Sequence, residues 1–180
     1  MLGVDHHAYF LECLTGPRRR SQRVLVARYE GRPVGACTVR WCGAVEPEVR
    51  ACLPAVPQLY HFVVRPDCRK HGVGTALLRA AEDMLRARGH THVLLGVDEW
   101  NKDARRLYER QGYVSRRSEC PTGLRSLGTD GNPAGDSYDI LVASLARQRR
   151  AGLRRRPPAP AVISRGLRPS RTPPHDRCAP

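Results

Sequence analysis

The stretch from Leu59 to Val97 limits what this chain can fold into more than any other part of it. Leu59–Val64 (LYHFVV) is a compact, β-favouring run closed by Arg65-Pro66, as expected of a central strand. The loop Pro66–Gly74 then leads directly into a segment with apolar residues at Val73, Ala76, Leu77, Ala80, Ala81, Met84 and Leu85, the spacing of one buried helical face. Arg86 and Arg88 suit the last turn of that helix, and Gly89 its stop. His92–Val97 (HVLLGV) reads as a second short buried strand. A strand, a helix and a strand over this distance form a crossover that places the two strands side by side and parallel.

The flanks extend this unit into a mixed sheet. Arg23–Tyr29 and Val34–Trp41 read as a β-hairpin joined at Glu30-Gly31-Arg32-Pro33, followed by a polar, Pro-containing connection from Cys42 to Gln58. Asn101 can cap a short helix with Ala104, Leu107 and Tyr108 facing inward, ended by Gly112. Tyr113–Arg116 and Tyr138–Leu145 are the last strand candidates, and Pro121–Gly135, rich in Gly, Pro, Asn and Asp, reads as a loop. The expected class is α+β, close to α/β, with helices flanking a mixed sheet. Near the start only a helix around His6–Leu14 is legible.

Composition bounds the alternatives. Of 180 residues, 41% are hydrophobic, enough for one core, but no apolar run approaches the roughly 20 residues a bilayer requires. No signal-like segment follows Met1, so a soluble, cytoplasmic protein without a membrane partner is expected. The seven cysteines are scattered without C-x-x-C or zinc-type spacing, which argues for free thiols and no metal.

The net charge of +14 suggests nucleic acid until it is divided along the chain. Residues 146–180 hold ten Arg and one Asp, while residues 1–145 hold 21 Arg and Lys against 16 Asp and Glu, so most of the excess lies in the last segment. That segment also carries seven of the fifteen prolines and little apolar periodicity. A domain over 1–145 and a disordered Arg/Pro-rich tail over 146–180 are expected. With 29 Arg to 2 Lys, a general preference for Arg explains the charge as well as a phosphate-binding surface does, so nucleic acid is not the favoured partner.

The chemistry centres on Arg69-Lys70-His71-Gly72-Val73-Gly74-Thr75. A strand feeds a glycine loop, and the following helix presents its unpaired N–H groups and positive dipole end at the same place, an arrangement suited to phosphate. A dinucleotide fingerprint would need Gly where Leu77 stands, and a Walker loop would need Gly-Lys-Ser/Thr where Gly74-Thr75-Ala76 stands. A plain structural turn is the competing reading of the glycines.

Arg69-Lys70-His71-Gly72-Val73-Gly74 resembles the R/Q-x-x-G-x-G/A signature of the GNAT acyl-CoA N-acyltransferase superfamily. Downstream, Asn101 through Tyr113 is similar to its second signature, N-x-x-A-x-x-x-Y-x-x-x-G-F/Y, with Ala104, Tyr108 and Gly112 in register. The resemblance covers about residues 6–145. It implies a GNAT-type fold, and relative to that fold the opening strand and first helix look shortened or absent. It implies acetyl-CoA as cosubstrate, its pyrophosphate held by the backbone amides of Arg69, Lys70, His71, Gly72, Val73 and Gly74 with Thr75 at the helix start. The backbone of Phe62 and Val64 would hold the pantetheine arm in a gap between strands 59–64 and 92–97. Asn101 would touch the cofactor arm, and Tyr108 would protonate the departing thiolate.

Transfer to a primary amine also needs a proton removed from nitrogen, because such amines are mostly protonated at neutral pH. Related sequences often carry a carboxylate on the strand matching 59–64, for example Glu where Val63 stands; here the strand has none. His61 is its one imidazole and the candidate base or water relay, against the plainer role of a satisfied strand histidine, with Asp98 and Glu99 as alternatives. Lys70 and His71 could aid phosphate binding by charge or simply crest the loop. Trp41 and Trp100 could line an acceptor cleft or pack at its rim, and His6 and His7 take no role.

The expected activity is acetyl transfer from acetyl-CoA to a small-molecule or protein amine by direct attack in a ternary complex, with a homodimer compatible with it. A catalytically weak or inactive acyl-CoA-binding regulatory module is the alternative, and a nucleic-acid-binding role for the tail is a third reading.

Overall fold

The computed structural model describes residues 21–116, 124–127, 133–146 and 161–164. Among them lie eight strands, β1 (Gln22–Tyr29), β2 (Arg32–Arg40), β3 (Gln58–Val64), β4 (His92–Asp98), β5 (Val114–Ser115), β6 (Leu124–Leu127), β7 (Pro133–Ser144) and β8 (Ala161–Ser164). Three α-helices accompany them: α1 (Pro47–Cys52), α2 (Val73–Arg86) and α3 (Lys102–Arg110). The sheet order is β5-β7-β4-β3-β2-β1-β8, with β6 also paired to β7. Only β3 and β4 run parallel, the outcome of the crossover through α2. This is the mixed α+β architecture expected from the periodicity.

The β1–β2 hairpin closes more tightly than the four-residue turn expected from sequence. Tyr29 pairs with Arg32, so the loop is Glu30-Gly31 alone, with φ of 48° and 78°, both in the left-handed region that a two-residue hairpin turn requires. Helix α2 buries Val73, Leu77, Leu78, Ala81 and Leu85 against the sheet. It ends with His90 N–H donating to Leu85 O and Gly89 N–H to Arg86 O, the paired closure that glycine permits.

Three expectations need correction. The connection Cys42–Gln58 contains helix α1, started by Pro47 at its first turn with Val49 buried. The segment Pro121–Gly135 is not all loop, since Leu124–Leu127 pairs antiparallel with β7, which itself begins at Pro133. The tail is not wholly without structure either: Ala161–Ser164 pairs antiparallel with Leu25–Arg28 of β1. In both places local composition argued for coil while an open strand edge supplied backbone partners. The helix expected near His6–Leu14 and the shortened opening lie outside the described residues.

The sheet has two covered faces. Leu59, Val93, Leu95, Val97, Leu141 and Ala143 meet α2 and α3 in the larger core, while Leu94, Ile140, Val142 and Tyr138 meet Ala44 and Val49 around α1.

Candidate active site

The site begins where β3 and β4 part. Their parallel pairing holds at Gln58–Leu94 and Leu59–Leu95 and ends there. Immediately beyond, β3 carries a bulge: Thr38 faces Tyr60 and Ala36 faces Val63, so His61 and Phe62 together oppose Cys37. His61 has φ of 47°. The extra residue reverses the alternation of side chains. Phe62 and Val64 therefore join Leu59 in packing toward α2 and α3, while Val63 joins Val24 and Ala36 on the other face.

The same bulge sets the direction of the peptide groups. Arg65 N–H donates to Val34 O at 3.0 Å, so Val63 and Arg65 bond toward β2. By alternation Phe62 and Val64 turn their N–H and C=O groups toward the side β4 has left. Val64 O there accepts from Arg69 Nε at 3.2 Å.

At the end of β3 a single 3-10 turn, Pro66–Cys68, leads into the glycine loop. Arg69 N–H donates to Pro66 O at 3.3 Å within that turn. Lys70 and Gly72 adopt φ of 62° and 85°, and the side chains of Lys70 and His71 are exposed. The first helical bond of α2 runs from Ala76 N–H to Gly72 O at 2.9 Å. The amides of Val73, Gly74 and Thr75 precede it, and no side chain caps this end.

The two glycines do different work. A β-carbon at Gly72 would meet nothing within 4 Å, whereas one at Gly74 would lie 2.9 Å from Leu107 Cδ2 and 3.6 Å from Phe62 Cε1. Gly72 serves its left-handed backbone with open space beside it, while Gly74 lets α3 pack down onto the start of α2.

Helix α3 carries the remaining signature residues. Asn101 Oδ1 accepts from Ala104 N–H at 3.2 Å, the expected cap. Tyr108 is buried, its ring edge-on to Phe62 at 6.0 Å between centroids and 5.9 Å from that of Tyr113. Burial holds its phenol well above the ordinary tyrosine range, and nearby Cys37 and Asp98 push it further in the same direction. It therefore keeps its proton throughout the neutral range. His61 stands with its ring against that of Tyr60 at 5.4 Å. Trp41 packs on the larger core under the Arg88 guanidinium, whereas Trp100 is exposed.

Several residues escaped the sequence reading. Gln58, buried, accepts from Val45 N–H at 2.7 Å and donates to Glu46 Oε2 at 3.0 Å, fixing a carboxylate beside the start of α1. That carboxylate, with Glu48 and Asp98, raises the pKa of Tyr138, behind burial as the largest cause. Arg105 on α3 forms an ion pair with Asp139 on β7. Each joins residues far apart in the chain, so no local spacing announces it. Among the described residues there is no metal-binding group of His, Cys, Asp and Glu, and no helix long and apolar enough to cross a membrane. Among the described residues, Cys37, Cys52 and Cys68 are free thiols.

A mixed sheet that opens at one parallel pair, with an amide-lined helix start at the opening, defines an acyltransferase-type fold. Residues 3–113 match the family model of the acetyltransferase (GNAT) family, and the chain belongs to that family. It is 33% identical over 101 residues to an uncharacterised N-acetyltransferase of Methanocaldococcus jannaschii, covering 55% of this chain and 42% of that protein, so it spans less than half the relative's length. It is 30% identical over 119 residues to an IAA acetyltransferase of Azospirillum brasilense, covering 66% of this chain and 70% of that protein. Among solved structures, nourseothricin acetyltransferase superposes with a TM-score of 0.54 at 25% identity, over 72% of this chain and 68% of that one. The ribosomal-protein-S18-alanine N-acetyltransferase of Escherichia coli does so with a TM-score of 0.53 at 20% identity, over 78% and 77%.

Proposed function

We propose that the chain is an N-acetyltransferase that moves the acetyl group of acetyl-CoA to a primary amine by direct attack in a ternary complex. The observation that carries this reading is the opening between β3 and β4, with the Phe62 and Val64 peptide groups facing it and the amides of Val73, Gly74 and Thr75 at its end. Anionic phosphates suit those amides and the positive end of α2. Lys70 and His71 add exposed positive or polar groups at the loop crest, and the Arg69 guanidinium lies across the end of β3. Asn101 lies at the start of α3, close enough in sequence to β4 to meet the same arm.

Acetyl-CoA supplies an activated thioester; the chain's residues supply position and protons. The amine nitrogen forms its bond to the carbonyl carbon, the carbon–sulfur bond breaks, and Tyr108 gives its proton to the departing thiolate. His61, at the bulge, takes the proton from nitrogen directly or through water. The acceptor is a small-molecule or protein amine. The proteins similar to this chain carry names that span nourseothricin and a ribosomal-protein alanine, and the shared fold accommodates both.

The second reading, an acyl-CoA-binding module without turnover, is favoured by the lack of a carboxylate on β3 (QLYHFVV). The two separate in one experiment on the full chain. Its thermal midpoint is recorded with saturating acetyl-CoA, CoA or ATP, and CoA release is then followed across a panel of amines. At about 100 times its dissociation constant a ligand adds about 2.7 kcal/mol. A shift of several degrees with both CoA forms but not ATP, followed by amine-dependent CoA release, is expected. A shift without release leaves the binding module, and no shift rejects both.

A further inference from the structure

Helix α3 is nine residues long, too short to hold its place by helical propensity. It touches residues on both sides of the place where β3 and β4 part, after Leu59 and Leu95. On the β3 bank it is held by Leu107 against the Gly74 backbone and by the Phe62–Tyr108 ring contact. On the other bank it is held by Arg105. That side chain reaches Asp139, which stands opposite Val97 in the β4–β7 ladder and is 1% exposed, against 23% for Arg105. Arg105 and Tyr108 lie three residues apart, on neighbouring positions of one helical face.

We propose that the Arg105–Asp139 ion pair is a positioning device that fixes α3 to the β4–β7 bank and so sets where the Tyr108 hydroxyl lies across the opening. This rests on the reading of Tyr108 as the proton donor. A buried carboxylate is retained only where it is paired, and a guanidinium meets it in a fixed planar geometry that an ammonium does not reproduce. The pair therefore restricts both the height and the rotation of α3 in a way that apolar contacts on one bank alone do not.

The test uses the full chain with its tyrosines labelled at the ring carbon bearing oxygen, the Tyr108 resonance being assigned by its loss in Tyr108→Phe. In Asp139→Asn and Arg105→Gln the Tyr108 resonance is expected to shift at neutral pH relative to the parent, while acetyl-CoA still raises the thermal midpoint. Turnover is expected to fall at least tenfold with the KM for acetyl-CoA within twofold. Arg105→Lys recovers the fold and the midpoint but only part of the rate. Asp139→Asn in a Tyr108→Phe background causes no further loss, because the pair acts through that hydroxyl.

An unmoved Tyr108 resonance in folded variants, or losses that multiply in the double variant, overturns the proposal. Should Asp139→Asn fail to fold, Arg105→Lys and Arg105→Gln carry the same comparison from the more exposed partner. A parent chain that turns over no amine while its Tyr108 resonance still responds to Asp139→Asn refutes the catalytic reading and leaves the positioning intact.

Discussion

Phe62 and Tyr108 meet edge to face, with ring planes at 89° and centroids 6.0 Å apart. The first belongs to a strand that has left its parallel neighbour, the second to the short helix that bridges the opening. Without the bulge at His61, Phe62 would point to the opposite face of the sheet, and Tyr108 would lose the contact that orients its ring.

Tyr108→Phe should keep that contact, since only the hydroxyl is removed. A positioned acid contributes about 10²–10⁴ in rate, so turnover should drop by about two orders of magnitude or more with acetyl-CoA affinity unchanged. Steady-state rates of CoA release beside a direct binding titration decide it; full turnover in the Phe variant at every pH would remove Tyr108 from the mechanism.

His61→Gln tests the base. If the imidazole accepts the amine proton, the acidic fall of kcat/KM should become shallower in the variant, leaving only the ionisation of the amine itself, and the rate should drop. A pH profile superimposable on the parent's would remove His61 from that role and leave Asp98 and Glu99 as the alternatives. Because φ at this position is 47°, His61→Gly should cost little stability from the backbone.

Two glycine variants separate packing from ligand access. A β-carbon at Gly35 would sit 2.9 Å from Val63 O and 3.2 Å from both Leu77 Cδ1 and Val73 Cγ1. Gly35→Ala must push β3 or α2 aside, costing about 1–3 kcal/mol in urea unfolding and weakening acetyl-CoA binding with it. Gly72→Ala meets open space, so only its left-handed backbone is penalised, by about 1 kcal/mol.

Alkaline pH should unfold the chain in a defined window. Burial raises the Cys37 thiol from 9.0 to about 12, so the folded state holds this proton more tightly than the unfolded chain does. The contribution is fully present below pH 9 and is lost progressively as pH rises toward about 12, by about 1 kcal/mol per pH unit. Tyr108, Tyr113 and Tyr138, all raised chiefly by burial, act in the same direction above pH 10. Urea midpoints from pH 8 to 11 should fall accordingly, and Cys37→Ala should flatten the first part of that fall. A midpoint independent of pH would mean that the thiol is not buried as described.

Much of this was legible along the chain. The periodicity of Leu59–Val97 specified strand, helix and strand, and the glycine and asparagine signals marked where α2 and α3 begin and end, because capping and amphipathic burial depend on residues within a turn or two of each other. The amide-lined start of α2 followed from the same local rules. Tyr108 was visible as an inward residue of α3 from its spacing alone.

What tertiary structure alone decided depends on strand partners and on pairs distant in sequence. LYHFVV contains no alternation that marks His61 as the extra residue, and only the register against β2 makes it a bulge and turns Phe62 and Val64 toward the opening. Gly74 reads in sequence as a ligand contact, yet Leu107, brought to it by folding, occupies the space its side chain would need. Arg105 and Asp139 are 34 residues apart and meet because β7 inserts between β4 and β5. Local sequence determines which elements form and where they stop, through hydrogen bonds and burial within a few residues; which faces meet, and which peptide groups stay free for a ligand, is fixed by sheet register and long-range packing.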